Sequence, residues 1–189
     1  MINISVFETN YLVFEAISNL DVDFIYKLRT TRKKNFLNKI PEDITLQYNF
    51  LKKYFIKFYQ NEEIYYKIYE KKGSKKVGLV RITNLQGDKK VGWESLIISE
   101  SANPITGLDA CLSIYSLVFD ILKKDTLGPW IVTKDNTRMM KIHDYMGIVS
   151  IIQEDKEKYT LEVKKEDFFK KKNYFQRINL GIIILPNVS

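Results

Sequence analysis

The chain reads as an α/β (α+β) protein, a mixed and mostly antiparallel central sheet flanked by helices, and three stretches carry that reading. Residues 64–99 fall into three β-prone runs parted by Gly73-Ser74 and Gly87-Asp88, the pattern of two consecutive hairpins. Residues 106–123 keep Leu108, Leu112, Tyr115, Val118, Phe119 and Leu122 on one broad helical face. Residues 132–148, VTKDNTRMMKIHDYMGI, run from a strand through a polar turn into an amphipathic helix that stops at Gly147.

Taken in order, residues 11–16 read as a strand and 22–29 as a short helix capped by Asp21. Asp43 or Thr45 caps a helix over 46–60, whose stripe of Phe50, Tyr54, Ile56 and Tyr59 is expected to pack in the core. Strands follow at 64–70, 76–83 and 90–99, then the long helix at 106–123. A strand at 130–133, a helix at 137–145 and strands at 148–153 and 158–163 complete the order β-α-α-β-β-β-α-β-α-β-β, and a charged helix at 165–173 closes it. The apolar run 178–186 reads as an edge strand or a segment packed on the body, with a dimer contact or a membrane touch as alternatives.

With 189 residues, 45% hydrophobic and 28% charged, the composition is that of a globular protein. The length suits one domain over 1–189, with 174–189 as an appended tail. A single cysteine, Cys111, excludes an internal disulfide and any multi-cysteine zinc site, and no metal is expected. No basic segment precedes an apolar run at the start, and no apolar stretch reaches the ~20 residues that span a bilayer, so a cytoplasmic protein is expected. The net charge of +7 suits an anionic partner. Its lysines are scattered in short runs rather than gathered into one arginine-rich stripe, so nucleic acid is not the expected partner.

Asn136 opens the helix of the third stretch, and the chain's one histidine, His143, lies seven residues further on. Seven residues is about two turns, so both project from one face. This strand–helix–strand unit resembles the last one of the GCN5-related N-acetyltransferases. In that family an Asn begins the helix, and a Tyr or His seven residues later sits near the sulfur of coenzyme A. The resemblance covers roughly residues 28–168 and implies that family's fold, with acetyl-CoA as co-substrate and an amine as acceptor.

It also implies where acetyl-CoA would lie. The strand before the long helix, at Ile97, Ile98 and Ser99, would offer backbone groups to the pantetheine arm. The loop into the helix would wrap the pyrophosphate. The family's usual signature there is Gln or Arg, two residues, Gly, one residue, then Gly or Ala. Here SESANPITGLDA holds one glycine, Gly107, and no leading Arg. The phosphates fall to the amides of Thr106, Gly107 and Leu108, helped by the Thr106 hydroxyl; the plainer alternative is that Thr106 caps the helix. Asp109 must point away from that site.

The segment VGLVRITNLQGDKKVGWESLII and the early LRTTRKKNFLNKI resemble a branch of the family that acts on nucleotide-linked amino sugars and carries His on the last helix. The implied reaction needs a base for the ammonium proton and an acid for the leaving thiolate. Glu94 and His143 are the candidates, with strand alternation placing Glu94 on a face with Leu96 and Ile98, opposite Trp93, Ser95 and Ile97. Arg81 is expected to pair with Glu94 across the hairpin and to belong to the acceptor-binding residues. Arg29, Arg32 and Asn35 would hold a phosphate of the acceptor, and Trp93 would stack on a base or sugar. Cys111 is expected to be a buried helix residue without a nucleophilic role. Two alternatives stand beside this reading: an N-terminal acetyltransferase acting on a ribosomal protein, and a non-catalytic basic binding module on a degenerate form of the same fold.

Overall fold

The computed structural model describes residues 4–31, 44–178, 180, 181 and 183. Eight strands form one sheet in the order β1-β2-β3-β4-β5-β6-β8-β7. They are β1 (Val6–Glu8), β2 (Leu12–Ala16), β3 (Ile64–Glu70), β4 (Lys75–Thr83), β5 (Lys90–Ile98), β6 (Thr126–Thr133), β7 (Val149–Glu154) and β8 (Lys158–Lys164). The helices are α1 (Val22–Thr31), α2 (Ile44–Tyr59), α3 (Thr106–Ser116), α4 (Thr137–Met146) and α5 (Lys165–Arg177). The three expected runs between 64 and 99 are β3, β4 and β5, joined as two antiparallel hairpins. β1 was not anticipated; three residues are too few for alternation to register.

Neighbouring strands pair antiparallel except β5 and β6, which run parallel and are tied at Lys90↔Thr126 and Val91↔Leu127. Each then carries a bulge. On β5 the pairing with β4 passes from Arg81↔Glu94 to Leu79↔Ile97, and Ser95 takes φ 56 to absorb the extra residue. On β6 the pairing with β8 passes from Leu127↔Val163 to Trp130↔Leu161 across Gly128 and Pro129. Proline has no N–H to continue a ladder, and the two strands part beyond Val91.

Two apolar cores lie on the two faces of the sheet. The larger contains Trp93, Ile98, Tyr115, Phe119, Trp130, Met146 and Phe168, and so joins the strands to α3, α4 and α5. The smaller contains Ile25, Leu28, Leu51, Tyr54, Tyr65, Leu79 and Ile97, and holds α1 and α2. The β5 bulge sets which residue faces which core. Trp93, Leu96 and Ile98 turn to the larger one and Ile97 to the smaller, so simple alternation along β5 fails at Ser95.

α3 is buried almost all round, continues into a π-helical turn (Leu117–Ile121), and runs through the interior rather than along its edge. Cys111 is buried within it, and burial pushes its thiol pKa up, away from nucleophile character. On α2 the buried stripe is Gln47, Leu51 and Tyr54, with Phe50 packed beside it, while Ile56 and Tyr59 are exposed. Those two lie about half a turn from Phe50 and Tyr54, which is why the expected stripe holds only in part. The C-terminal run lies mostly outside the described residues, but Leu180 is buried and Gly181 packs so tightly on α3 that a Cβ there would lie 2.6 Å from that of Leu112.

Asp21 does more than the expected cap. Ser18 is the N-cap of a short 3-10 turn (Asn19–Asp21), and Asp21 answers it by accepting from the Ser18 N–H at 2.8 Å. The Asp21 carboxylate also accepts from Lys67 and Lys76, each at 2.8 Å, which ties the start of α1 to β3 and β4. Burial alone would raise its pKa; the hydrogen bonds from Lys67, Lys76 and Ser18 outweigh burial and hold it at about 2. Stability from this depressed pKa is present above pH 3.8 and is lost as pH falls toward 2. Asp21→Asn is expected to cost about 2 kcal/mol in urea unfolding at pH 7. Its melting temperature should converge on that of the wild type as pH drops through that window; a constant difference would refute the ionic origin.

Candidate functional site

α4 begins and ends as the sequence implies. The Asn136 side chain accepts from the Met139 N–H at 3.3 Å, and Gly147 closes the helix in the left-handed region with its N–H on the His143 carbonyl at 2.8 Å. His143 then turns inward. It is 3% exposed, with its ring centroid 5.6 Å from that of Trp130 and 6.4 Å from that of Trp93. Neither ring nitrogen has a hydrogen-bond partner among the described residues. Burial lowers its pKa to about 4. Burial therefore favours the neutral imidazole at pH 7. A neutral ring can still give or accept a hydrogen bond.

A cleft of about 550 Å³ opens between the entry to α3 and α4. Pro104, Ile105, Leu108 and Ile142 give it apolar walls, Tyr145 an aromatic ring, and Arg138 and Lys141 two cations. Gly107 lies against α4, where a Cβ would meet Ile142 in ordinary contact at 3.4 Å. Arg138 and Lys141 escaped the sequence reading, although their i, i+3 spacing just after Asn136 puts them on one face of α4.

The entry to α3 differs from expectation. The Thr106 hydroxyl donates to the Glu70 carboxylate at 2.8 Å, and the Asn103 N–H donates to the same oxygen at 2.6 Å. Thr106 is therefore held by Glu70, an anion already satisfying this helix entry, and its hydroxyl is not free for a phosphate. Ser99 is likewise engaged, its N–H donating to the Val77 carbonyl at 2.7 Å. Asp109 does point away, as required. It is fully buried and accepts from Thr9 Oγ1 at 2.9 Å and from the Gly181 N–H at 2.7 Å, and burial raises its pKa.

On the α1–α2 face of the sheet, Arg81 and Glu94 form the expected ion pair, with the Arg81 guanidinium 5.3 Å from the Phe50 ring centre. Arg29 reaches across from α1 and donates to Ser95 Oγ at 3.4 Å. Trp93 is elsewhere: 3% exposed, packed against Tyr115 and Trp130 in the larger core. A ring enclosed in this way cannot stack on a base or sugar, and that expectation is corrected. Arg32 and Asn35 lie outside the described residues. No group of three or more His, Cys, Asp or Glu with the geometry of a metal site occurs among the described residues, and no described helix is long and apolar enough to cross a membrane.

No family model and no curated protein sequence matches the chain. Solved structures do. The apo form of FdhC, a nucleotide-linked sugar GNAT, superposes with a TM-score of 0.80 at 22% identity over 94% of this chain and 99% of that one. Spermidine N-acetyltransferase from Vibrio cholerae, in complex with CoA and spermine, gives 0.69 at 13% identity over 84% and 98%. Campylobacter jejuni N-acetyltransferase PseH in complex with acetyl coenzyme A gives 0.61 at 20% identity over 82% and 99%. The chain has the GCN5-related N-acetyltransferase fold, the fold class its sequence predicts.

The His143 environment makes a testable demand on stability. The folded state favours the neutral ring, so its pKa falls from 6.5 to about 4, and stability is lost as pH drops through that interval. The expected contribution is about 3 kcal/mol between pH 7 and pH 4, read from urea midpoints. His143→Phe should show a flatter profile over this range; an unchanged slope would mean that the imidazole is hydrated.

Proposed function

We propose that this chain transfers an acetyl group from acetyl-CoA to a primary amine, and that the amine belongs to a nucleotide-linked amino-deoxy sugar. The observation that carries the reading is the wedge between β5 and β6 beside an apolar cleft bearing Arg138 and Lys141. A long arm of amides and methylenes ending in phosphates matches that sequence of surfaces. In this reading the β5 edge at Ile97 and Ile98 holds the arm as an added strand would. The amides of Gly107 and Leu108 in the first turn of α3 face the phosphates, and Arg138 and Lys141 neutralise them. Asn136 fixes the start of α4 and with it these two cations.

Acetyl-CoA supplies the acyl group as a thioester. The protein's task is to deprotonate the acceptor and orient it. Glu94, its side chain 47% exposed and held by Arg81, takes the proton that the ammonium must lose, directly or through water. His143, neutral at pH 7, acts as a hydrogen-bonding group on the far side of β5. Direct attack forms the amide C–N bond as the thioester C–S bond breaks; CoA leaves as the thiolate and takes up the second proton lost from nitrogen, so no covalent enzyme intermediate is needed, in keeping with the buried Cys111.

Arg29 and Arg81 lie on the acceptor face, and their charge favours an anionic acceptor such as a sugar nucleotide over a polyamine. The likeness to FdhC supports the same choice. Such an acceptor would be met in the cytoplasm, before glycosyl transfers that build surface polysaccharide.

Millimolar acetyl-CoA is expected to raise the melting temperature, by an amount equivalent to about 2.7 kcal/mol at a hundredfold excess over Kd. The double variant Arg138→Gln/Lys141→Gln should weaken that binding about tenfold or more. Glu94→Gln should lower kcat about a hundredfold while leaving the KM for acetyl-CoA unchanged. An unshifted melting temperature at saturating ligand would instead favour a binding module on this fold.

A further inference from the structure

On the α1–α2 face, Arg29 and Arg81 are joined by Tyr65, a residue that the sequence did not announce. Tyr65, on β3, is 1% exposed, and its hydroxyl has no partner of good geometry among the described residues. Arg81 Nε is also buried and unpartnered there. Burial raises the Tyr65 pKa, while Arg29 and Arg81 both pull it down, so all three groups share one neighbourhood. Arg29 donates to Ser95 Oγ at the long distance of 3.4 Å and also lies against the Tyr65 hydroxyl. Ser95 itself stands in the left-handed region at φ 56, a conformation that a non-glycine residue holds at a cost.

The balance of donors and acceptors is uneven. Two guanidinium groups and a phenolic O–H converge, and Glu94 is the carboxylate that answers them, through Arg81. An unmade hydrogen bond to a buried donor is costly, and several unmade donors side by side are the complement of an oxyanion. The cluster is not sealed, since the Arg81 side chain is 17% exposed and Glu94 opens to solvent.

We propose that Tyr65, Arg29 and Arg81 form an oxyanion subsite that takes a phosphate or carboxylate group of the acceptor and so makes the enzyme select anionic amines. Assigning the oxyanion to the acceptor rests on the acetyl-transfer reading above; the anion site itself does not. Tyr65 is a specificity residue, on the face of β5 opposite His143. Its O–H donates to the anion, and the arginines supply the charge.

The test is calorimetric titration of inorganic pyrophosphate, and separately of malonate, with and without saturating CoA. The proteins are wild type, Tyr65→Phe, Arg29→Gln and, as a cofactor-cleft control, Arg138→Gln. Wild type is expected to bind at least one of the two anions with CoA present; the one bound identifies phosphate or carboxylate as the group recognised. With CoA saturating, so that the cleft bearing Arg138 and Lys141 is filled, affinity should fall about tenfold in Tyr65→Phe and in Arg29→Gln and stay unchanged in Arg138→Gln. Tyr65→Phe should melt at or above the wild-type temperature, because it removes a buried hydroxyl that has no partner. Absence of anion binding by wild type overturns the proposal, as does equal affinity in Tyr65→Phe and Arg29→Gln. If CoA fails to bind while pyrophosphate binding still depends on Tyr65, the anion site stands and the acetyl-transfer reading falls.

Discussion

The short parallel ladder between β5 and β6 is the joint on which the rest of the structure depends. Two residue pairs, Lys90↔Thr126 and Val91↔Leu127, hold the strands together at one end. Bulges at Ser95 and at Gly128–Pro129 then turn them apart. Parting the strands creates a wedge, and the α3–α4 cleft lies on one face of the sheet while the Arg29–Ser95 contact lies on the other.

The parted strands need support from outside the ladder, and buried carboxylates provide much of it. Asp21 draws Lys67 and Lys76 to the start of α1 and anchors that layer on β3 and β4. Asp109 joins α3 to Thr9 and to Gly181, so the C-terminal segment and the β1–β2 turn brace the helix whose entry borders the cleft. Glu70 holds that entry through Asn103 and Thr106. Asp21 and Asp109 are buried and Glu70 half-buried, and each is satisfied by more than one donor, which is what allows a carboxylate to be buried at all.

Burial also redistributes the chemistry. His143 and Trp93, read as reactive and recognising residues, stand together in an aromatic core with Trp130 and Tyr115. Desolvation favours the uncharged imidazole there and removes the proton that an acid would need. The charged side chains stand nearer solvent: Arg138 and Lys141 on α4, and Glu94 with Arg81 on the α1–α2 face.

Local pattern was enough for the elements and their order, because hairpin turns, helical spacing and caps are written within a few residues of one another. The Asn136 cap, the Gly147 stop and the Arg81–Glu94 pair were all legible for that reason: two are local to one helix, and the third lies across one tight hairpin. What the tertiary structure alone decided involves partners far apart in sequence. Thr106 is claimed by Glu70, Asp21 by Lys67 and Lys76, and Asp109 by Thr9 and Gly181. The bulge at Ser95 shifted every later side chain of β5 to the face opposite the one that alternation assigns. No spacing in the sequence could reveal that the Tyr65 hydroxyl would gather with two guanidinium groups, since that depends on how α1 and three strands pack together.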